Sequence, residues 1–285
     1  MFAENFKTNS NSMVKHLLLA FCILLTAASC TKEQLNLIGN IKTDTDHEVA
    51  GRWMPRQSGV VLTFDDKSVD EWYALNQIIA PELKWKATFY VTRFASLNSD
   101  RISKLRNLQT AGHEIAGHGW NHLDAVKYIK EYGVESYINT EITPMLNLMR
   151  RSGLKVVNFA YPFGSRNSTT DSLLLNYFIS LRGTTYSNKV TDVKNLNCYY
   201  GFDRNRVVYG LGIDTIYNNS LSYIKSVLQY AKENRKIVIL YAHKPVPVAA
   251  PGEYQTGYAT LQEICRYVKS NGMRFYNMRD LYSIR

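Results

Sequence analysis

The sequence lacks the signals that mark several common classes of site. Its 285 residues include four cysteines, none in the CxxC spacing of a structural zinc site, and no HExxH that would point to a metalloprotease of that type. Lysine and arginine outnumber the acids 34 to 24, for a formal net charge of +10. These charges are spread along the chain, without basic runs or RNA-type aromatic signatures, so no nucleic-acid partner is expected. Repeats and low-complexity stretches are lacking too. An apolar run near the N-terminus extends for only about ten residues, which is short for a membrane span. What remains, 45% hydrophobic and 20% charged, suits one α/β domain with a large core.

The N-terminal run reads as an address. In "MVKHLLLAFCILLTAASC", Lys15 and His16 precede the apolar stretch, and small residues lead to Cys30, the layout of a secretory signal that starts at Met13. "TAASC" resembles a bacterial lipoprotein cleavage box, with Ala27 where Leu is commoner, and this implies a lipidated Cys30. The alternative is an ordinary cleaved signal in which Cys30 is incidental. Residues 1–30 are therefore expected to be a signal, polar and aperiodic residues 31–55 a tether, and 56–285 the domain. The protein is expected to be exported and lipid-anchored to a membrane of the cell envelope. Cys22 falls in the signal, which leaves Cys198 and Cys265 as core residues whose pairing the spacing does not decide.

Within the domain, β-branched runs such as "GVVLTF", "KATFYV", "VVNFAY" and "KIVILYA" alternate with amphipathic stretches such as "SVDEWYALNQIIAPEL", "VESYINTEITPMLNLMRRSG" and "SLSYIKSVLQYAKENR". That alternation predicts βα units and a mainly parallel sheet, open or closed. Functional groups in such folds collect where strands end.

Asp65 and Asp66 end the first strand. Neighbouring residues on a strand point to opposite sides, so the two carboxylates suit two tasks: one binds a cation and the other acts as a base. Capping of the next helix is the plainer role for either one. His113, His118 and His122 cluster in "GHEIAGHGWNH", half of the six histidines in the chain. If that segment is helical, the spacing of four puts His118 and His122 on one face, able to share a metal. Two histidines and one Asp would leave a zinc-like ion an open position for water. His113 reads as a packed neighbour. In "AYPFG", Pro162 and Gly164 favour a tight turn that could aim a backbone N–H into the site. His243 ends a later strand.

Taken together, these segments resemble the polysaccharide deacetylases of carbohydrate esterase family 4, the NodB-like group. Four of that family's five motifs occur in order over about residues 58 to 245: "TFDD", "HGWNH", "YPFG" and "LYAH". The resemblance implies a distorted (β/α) barrel with about seven strands. It assigns the general base to Asp65, metal ligands to Asp66, His118 and His122, an oxyanion-binding N–H to Phe163 and the general acid to His243. The implied cofactor is a divalent metal, most simply Zn²⁺. The implied activity removes acetyl groups from N-acetylated or O-acetylated polysaccharide or oligosaccharide.

The chain also departs from the pattern. Lys67 follows the Asp pair where the family usually has Gly, Gly119 replaces a Ser or Thr, and Ala160 stands where an Arg commonly holds the base. Arg182 is the candidate to replace that guanidinium. Asp214 is the nearest candidate for the unclear fourth motif. A non-catalytic glycan-binding protein and a hydrolase of a non-sugar amide are the competing readings.

Overall fold

Strand β1 (Gly59–Asp66) sets the pattern of the fold. Side chains alternate across a strand. Val60, Leu62 and Phe64 accordingly join the large core cluster, while Val61 joins a smaller one with Tyr90, Ala116, Ala160 and Ile239. Thr63 and Asp65 continue the inner phase of Val61.

The structure is a computed structural model that describes residues 55–185 and 192–284. The expected signal, Cys30 and nearly all of the tether lie outside the described residues. The other strands are β2 (Thr88–Val91), β3 (Glu114–Gly117), β4 (Asn158–Ala160), β5 (Ser180–Thr184), β6 (Tyr199–Tyr200), β7 (Val207–Gly212), β8 (Ile237–Ala242), β9 (Lys244–Val246), β10 (Gln255–Gly257) and β11 (Arg274–Tyr276). Seven of them, β1 to β5 with β7 and β8, pair in parallel, and β8 returns to β1 over six residues to close a barrel. The expected seven-stranded distorted (β/α) barrel is the fold observed. At its N-terminal end, β11 lies parallel to the start of β1 and β6 antiparallel to the start of β8.

Helices cover the outside: α1 (Val69–Leu83), α2 (Ser99–Thr110), α3 (Ala125–Tyr132), α4 (Val134–Tyr137), α5 (Thr143–Arg151), α6 (Ser168–Leu174), α7 (Leu221–Glu233), α8 (Tyr258–Ser270) and α9 (Met278–Ser283). In α1, Val69, Trp72, Asn76, Ile79 and Leu83 are buried at alternating spacings of three and four, one helical stripe. Trp72 stacks on Phe89 at 5.2 Å between ring centroids, and Phe64 stacks on Phe89 at 5.5 Å. Removing such a buried ring costs about 3–5 kcal/mol.

The run "VESYINTEITPMLNLMRRSG" reads as one helix but folds as three pieces: α4, a π turn over Ile138–Ile142, and α5. Pro144 has no N–H for the carbonyl four residues back, and its ring crowds that carbonyl. A wider turn accommodates both. Cys198 and Cys265 are buried and form no disulfide among the described residues, and burial pushes each thiol up to about 12. Among the described residues no helix is long and apolar enough to cross a membrane.

Candidate functional site

The C-terminal strand ends open into a cavity of about 780 Å³, lined by Asp65, Asp66, His118, His122, Phe163 and His243 together with Tyr161, Tyr217, Tyr241 and Tyr254. All six residues assigned catalytic or metal-binding roles from the resemblance thus reach one space. Three of them sit on left-handed backbone: Asp66 (φ 83°), His122 (φ 66°) and Phe163 (φ 60°). Such conformations cost non-glycine residues on the order of 1–3 kcal/mol each and persist where the surroundings enforce them.

His118 and His122 meet, but not through helical spacing. His118 follows β3, and Gly119 (φ +82°) and His122 both take the left-handed conformation, so a tight turn brings the two rings together. Their Nε2 atoms are 3.3 Å apart. Asp66 Oδ1 lies 3.7 Å from His118 Nε2 and 3.4 Å from His122 Nε2. Two nitrogens, each ~2.0–2.1 Å from one zinc at a tetrahedral angle, would be ~3.3 Å apart. The three donors therefore fit one face of a tetrahedral ion. His118 Nδ1 donates to Ala160 O at 2.9 Å, which leaves its Nε2 lone pair for a metal. Burial holds both imidazoles below the usual histidine range, His122 at about 4.

Asp65 and Asp66 differ as two tasks require. Asp66 is half-exposed at the rim, whereas Asp65 is buried in the barrel and ion-paired with Arg182 of β5. Arg182 is fully buried, with its guanidinium carbon 5.2 Å from the ring centre of Tyr90 and 5.0 Å from that of Tyr241. Gly210 of β7 leaves room for it, since a Cβ there would meet Arg182 Cδ at 3.2 Å. Burial alone would raise the carboxyl pKa of Asp65, but the Arg182 charge and hydrogen bond, aided by His118 and His243, lower it below the ordinary carboxylate value. Its Oδ1 has no hydrogen-bond partner among the described residues.

Across the cavity, His243 Nδ1 lies 2.6 Å from Asp214 Oδ2, and Asp214 Oδ1 accepts from Thr256 Oγ1 at 2.6 Å. Burial disfavours the imidazolium of His243. Asp214 and the site carboxylates outweigh that effect and raise its pKa above the usual value. The Trp72 indole N–H donates to His243 O at 2.8 Å, fixing the residue from the helix side. At "YPFG", Gly164 and Ser165 donate backbone N–H groups to Tyr161 O and Pro162 O. Gly164 (φ +66°) must be glycine, because a Cβ would meet Thr184 Oγ1 at 2.1 Å. The Phe163 side chain is 67% exposed and meets His122 edge-on at 4.7 Å.

Comparison with known proteins agrees with this geometry. Residues 54–178 match the family profile described as "Polysaccharide deacetylase". Over those residues the chain is similar to the polysaccharide deacetylases. A Streptococcus mutans CE4 esterase is 16% identical, with a TM-score of 0.53 over 84% of this chain and 94% of its own. BA3943, a CE4 family pseudoenzyme from Bacillus anthracis, is 15% identical, with a TM-score of 0.53 over 81% of this chain and 68% of its own. The Bc1960 peptidoglycan N-acetylglucosamine deacetylase is 14% identical, with a TM-score of 0.53 over 81% of this chain and 91% of its own. At these identities the likeness is one of fold. Comparison with curated proteins gave no match.

Against the deacetylase motifs, Arg182 stands beside Asp65 in the place left by Ala160, which offers the site its carbonyl oxygen alone. Asp214 pairs with the histidine of the last motif. His113 is away from the cavity: its Nδ1 accepts Ala87 N–H at 3.1 Å, its Nε2 lies 2.9 Å from Asn76 Oδ1, and its ring packs on Trp85 and Phe89. Trp72, Tyr254 and Glu141 escape sequence reasoning, because nothing local marks an indole N–H on an amphipathic helix, an exposed loop tyrosine or a mid-helix glutamate.

Proposed function

We propose that the domain is a metal-dependent hydrolase that removes acetyl groups from N-acetylated or O-acetylated carbohydrate. The observation that carries this reading is Asp65 Oδ1, buried and without a partner among the described residues, beside three convergent metal donors and in one cavity with the Asp214-bound His243. Asp66, His118 and His122 would hold a divalent ion, with zinc favoured by the nitrogen and oxygen donors, and that ion would supply a Lewis acid for the acyl carbonyl and a water of lowered pKa. Asp65, kept ionised by Arg182, accepts the proton of the attacking water. The Phe163 N–H, fixed by its left-handed turn, offers a donor to the oxygen that gains charge. His243, whose pKa Asp214 raises, gives its proton to the departing amine or hydroxyl. Acetate and the free sugar group are the products.

The competing reading is a glycan-binding protein without turnover, and a pseudoenzyme of similar fold gives it standing. A binding module has no use for an opposed base and acid, which favours catalysis. Acetate release from N-acetylglucosamine polymers, peptidoglycan and acetylated xylan, with metal removed by chelation and restored, tests the proposal. Metal-dependent release from at least one polymer is expected, and none from any with zinc present would remove the reading.

Export and lipid anchoring in the cell envelope belong to the same proposal, supported by the signal-like residues before Cys30. Labelled fatty acid should enter the intact chain and not the Cys30→Ser variant. Label in that variant would refute the anchor.

A further inference from the structure

The turn that carries both histidines is unusual in having two left-handed residues, Gly119 and His122, within four positions. Its hydrogen bonds show what enforces it. On one side, Thr92 Oγ1 and Arg93 N–H donate to Gly119 O at 2.9 and 3.3 Å. On the other side stands Glu141, fully buried, from the π turn Ile138–Ile142. Asn121 N–H donates to both its carboxylate oxygens, at 2.9 and 3.1 Å, and Trp120 N–H donates to its backbone oxygen at 3.2 Å. A Cβ at Gly119 would lie 2.5 Å from Glu141 Oε2. The carboxylate therefore fills the space of a side chain at Gly119, where the motif otherwise carries Ser or Thr.

We propose that Glu141 is a positioning residue for the metal ligands: its carboxylate takes the place of a side chain at Gly119 and locks the turn that aims His118 and His122 at Asp66. The proposal rests on the metal site formed by those three residues. The π turn gives the arrangement its local cause. A residue inserted into a helix shifts the phase of every later position, and such turns recur at functional sites. Here the inserted turn brings a carboxylate onto the backbone of the ligand loop. Without it, Asn121 N–H loses its acceptor, and His122 can relax to the ordinary right-handed or extended backbone, taking its Nε2 away from the other two donors.

The test is a zinc titration of the purified protein against a chromophoric chelator, for the unmutated chain, Glu141→Ala, Glu141→Gln and Leu228→Ala. Loss of a group that orients a ligand typically weakens metal binding about 10–100-fold, and that is the expectation for Glu141→Ala. Glu141→Gln keeps one acceptor oxygen for Asn121 N–H and should fall between the two. Leu228, buried on α7, reports destabilisation alone, so Leu228→Ala should lower the melting temperature and leave zinc affinity unchanged. Cobalt(II) absorption gives a second readout, and the strong tetrahedral bands of the unmutated protein should weaken in Glu141→Ala. Unmutated zinc affinity in Glu141→Ala, or an equal loss in Leu228→Ala, overturns the role of Glu141. A failure of the unmutated protein to bind zinc removes the metal site itself, and the role of Glu141 with it.

Discussion

The two ends of the barrel bury carboxylates of the same kind to opposite effect. At the N-terminal end, Glu114 accepts from Thr88 Oγ1, Asn158 Nδ2 and Arg279 N–H, and burial raises its pKa above the ordinary value. Tyr200, Phe202, Tyr276, Met278, Leu281 and Ile284 close that end with apolar side chains. At the C-terminal end, Asp65 is just as deeply buried, but Arg182 lowers its pKa and one of its oxygens has no partner. The left-handed Asp66, His122 and Phe163 also gather there. At the closed end three hydrogen-bond donors hold the carboxylate and the Arg279 charge only partly offsets the effect of burial, so no buried ion pair forms there as Arg182 forms with Asp65. The cavity end keeps its carboxylate ionised and leaves one of its oxygens without a partner among the described residues.

Breaking that contrast at Asp65 should have the largest effect. Asp65→Asn keeps the shape but cannot accept a proton, so acetate release should fall by about 10²–10⁴ while zinc stays bound. Metal analysis alongside the acetate assay checks this, and a loss of zinc like that of Asp66→Asn would mean that the two roles are exchanged.

An intermediate effect is expected at the opposed acid. Asp214→Asn removes the group that offsets burial at His243, so the His243 pKa should fall. A general acid works only below its pKa, and the alkaline limb of the kcat/KM profile should therefore move to lower pH. Each unit of downward shift costs about tenfold in protonated His243 on that limb. An unmoved limb would separate His243 from proton donation.

The smallest effect on activity is expected at the closed end. Glu114→Gln should leave acetate release unchanged and cost about 1–3 kcal/mol of stability, since the amide nitrogen cannot accept the donors that face it. The pH dependence has a definite sign. A carboxyl whose folded pKa is raised binds its proton more tightly in the folded state, so it lowers stability as pH rises from the ordinary carboxylate value through the raised one. Across that window the change in melting temperature per pH unit should be more positive in Glu114→Gln than in the unmutated chain.

How much of this was legible beforehand depended on distance along the chain. "TFDD" and "YPFG" are local, and a period of two is enough to give Asp65 and Asp66 different surroundings at a strand end. Alternating apolar runs gave βα units and a mainly parallel sheet, open or closed, and the seven-strand barrel came from the resemblance that the motifs carry. The helical route to the histidine pair did not survive, because Gly119 and His122 adopt backbone that a spacing argument does not anticipate. The amphipathic stretch through Glu141 is interrupted by a π turn over Ile138–Ile142, just before Pro144. Arg182 lies 117 residues from Asp65 and Asp214 lies 29 from His243. Both could be named as candidates, but neither partnership could be read from its neighbours.

The residues alone determined which groups could do chemistry and at which strand ends they stood, because side-chain alternation and turn preference act over a few residues. Tertiary structure decided which of those groups carry charge, which are satisfied and which share a cavity. Those properties depend on burial and on partners that closure of the barrel brings across its interior, and no local stretch of chain contains them.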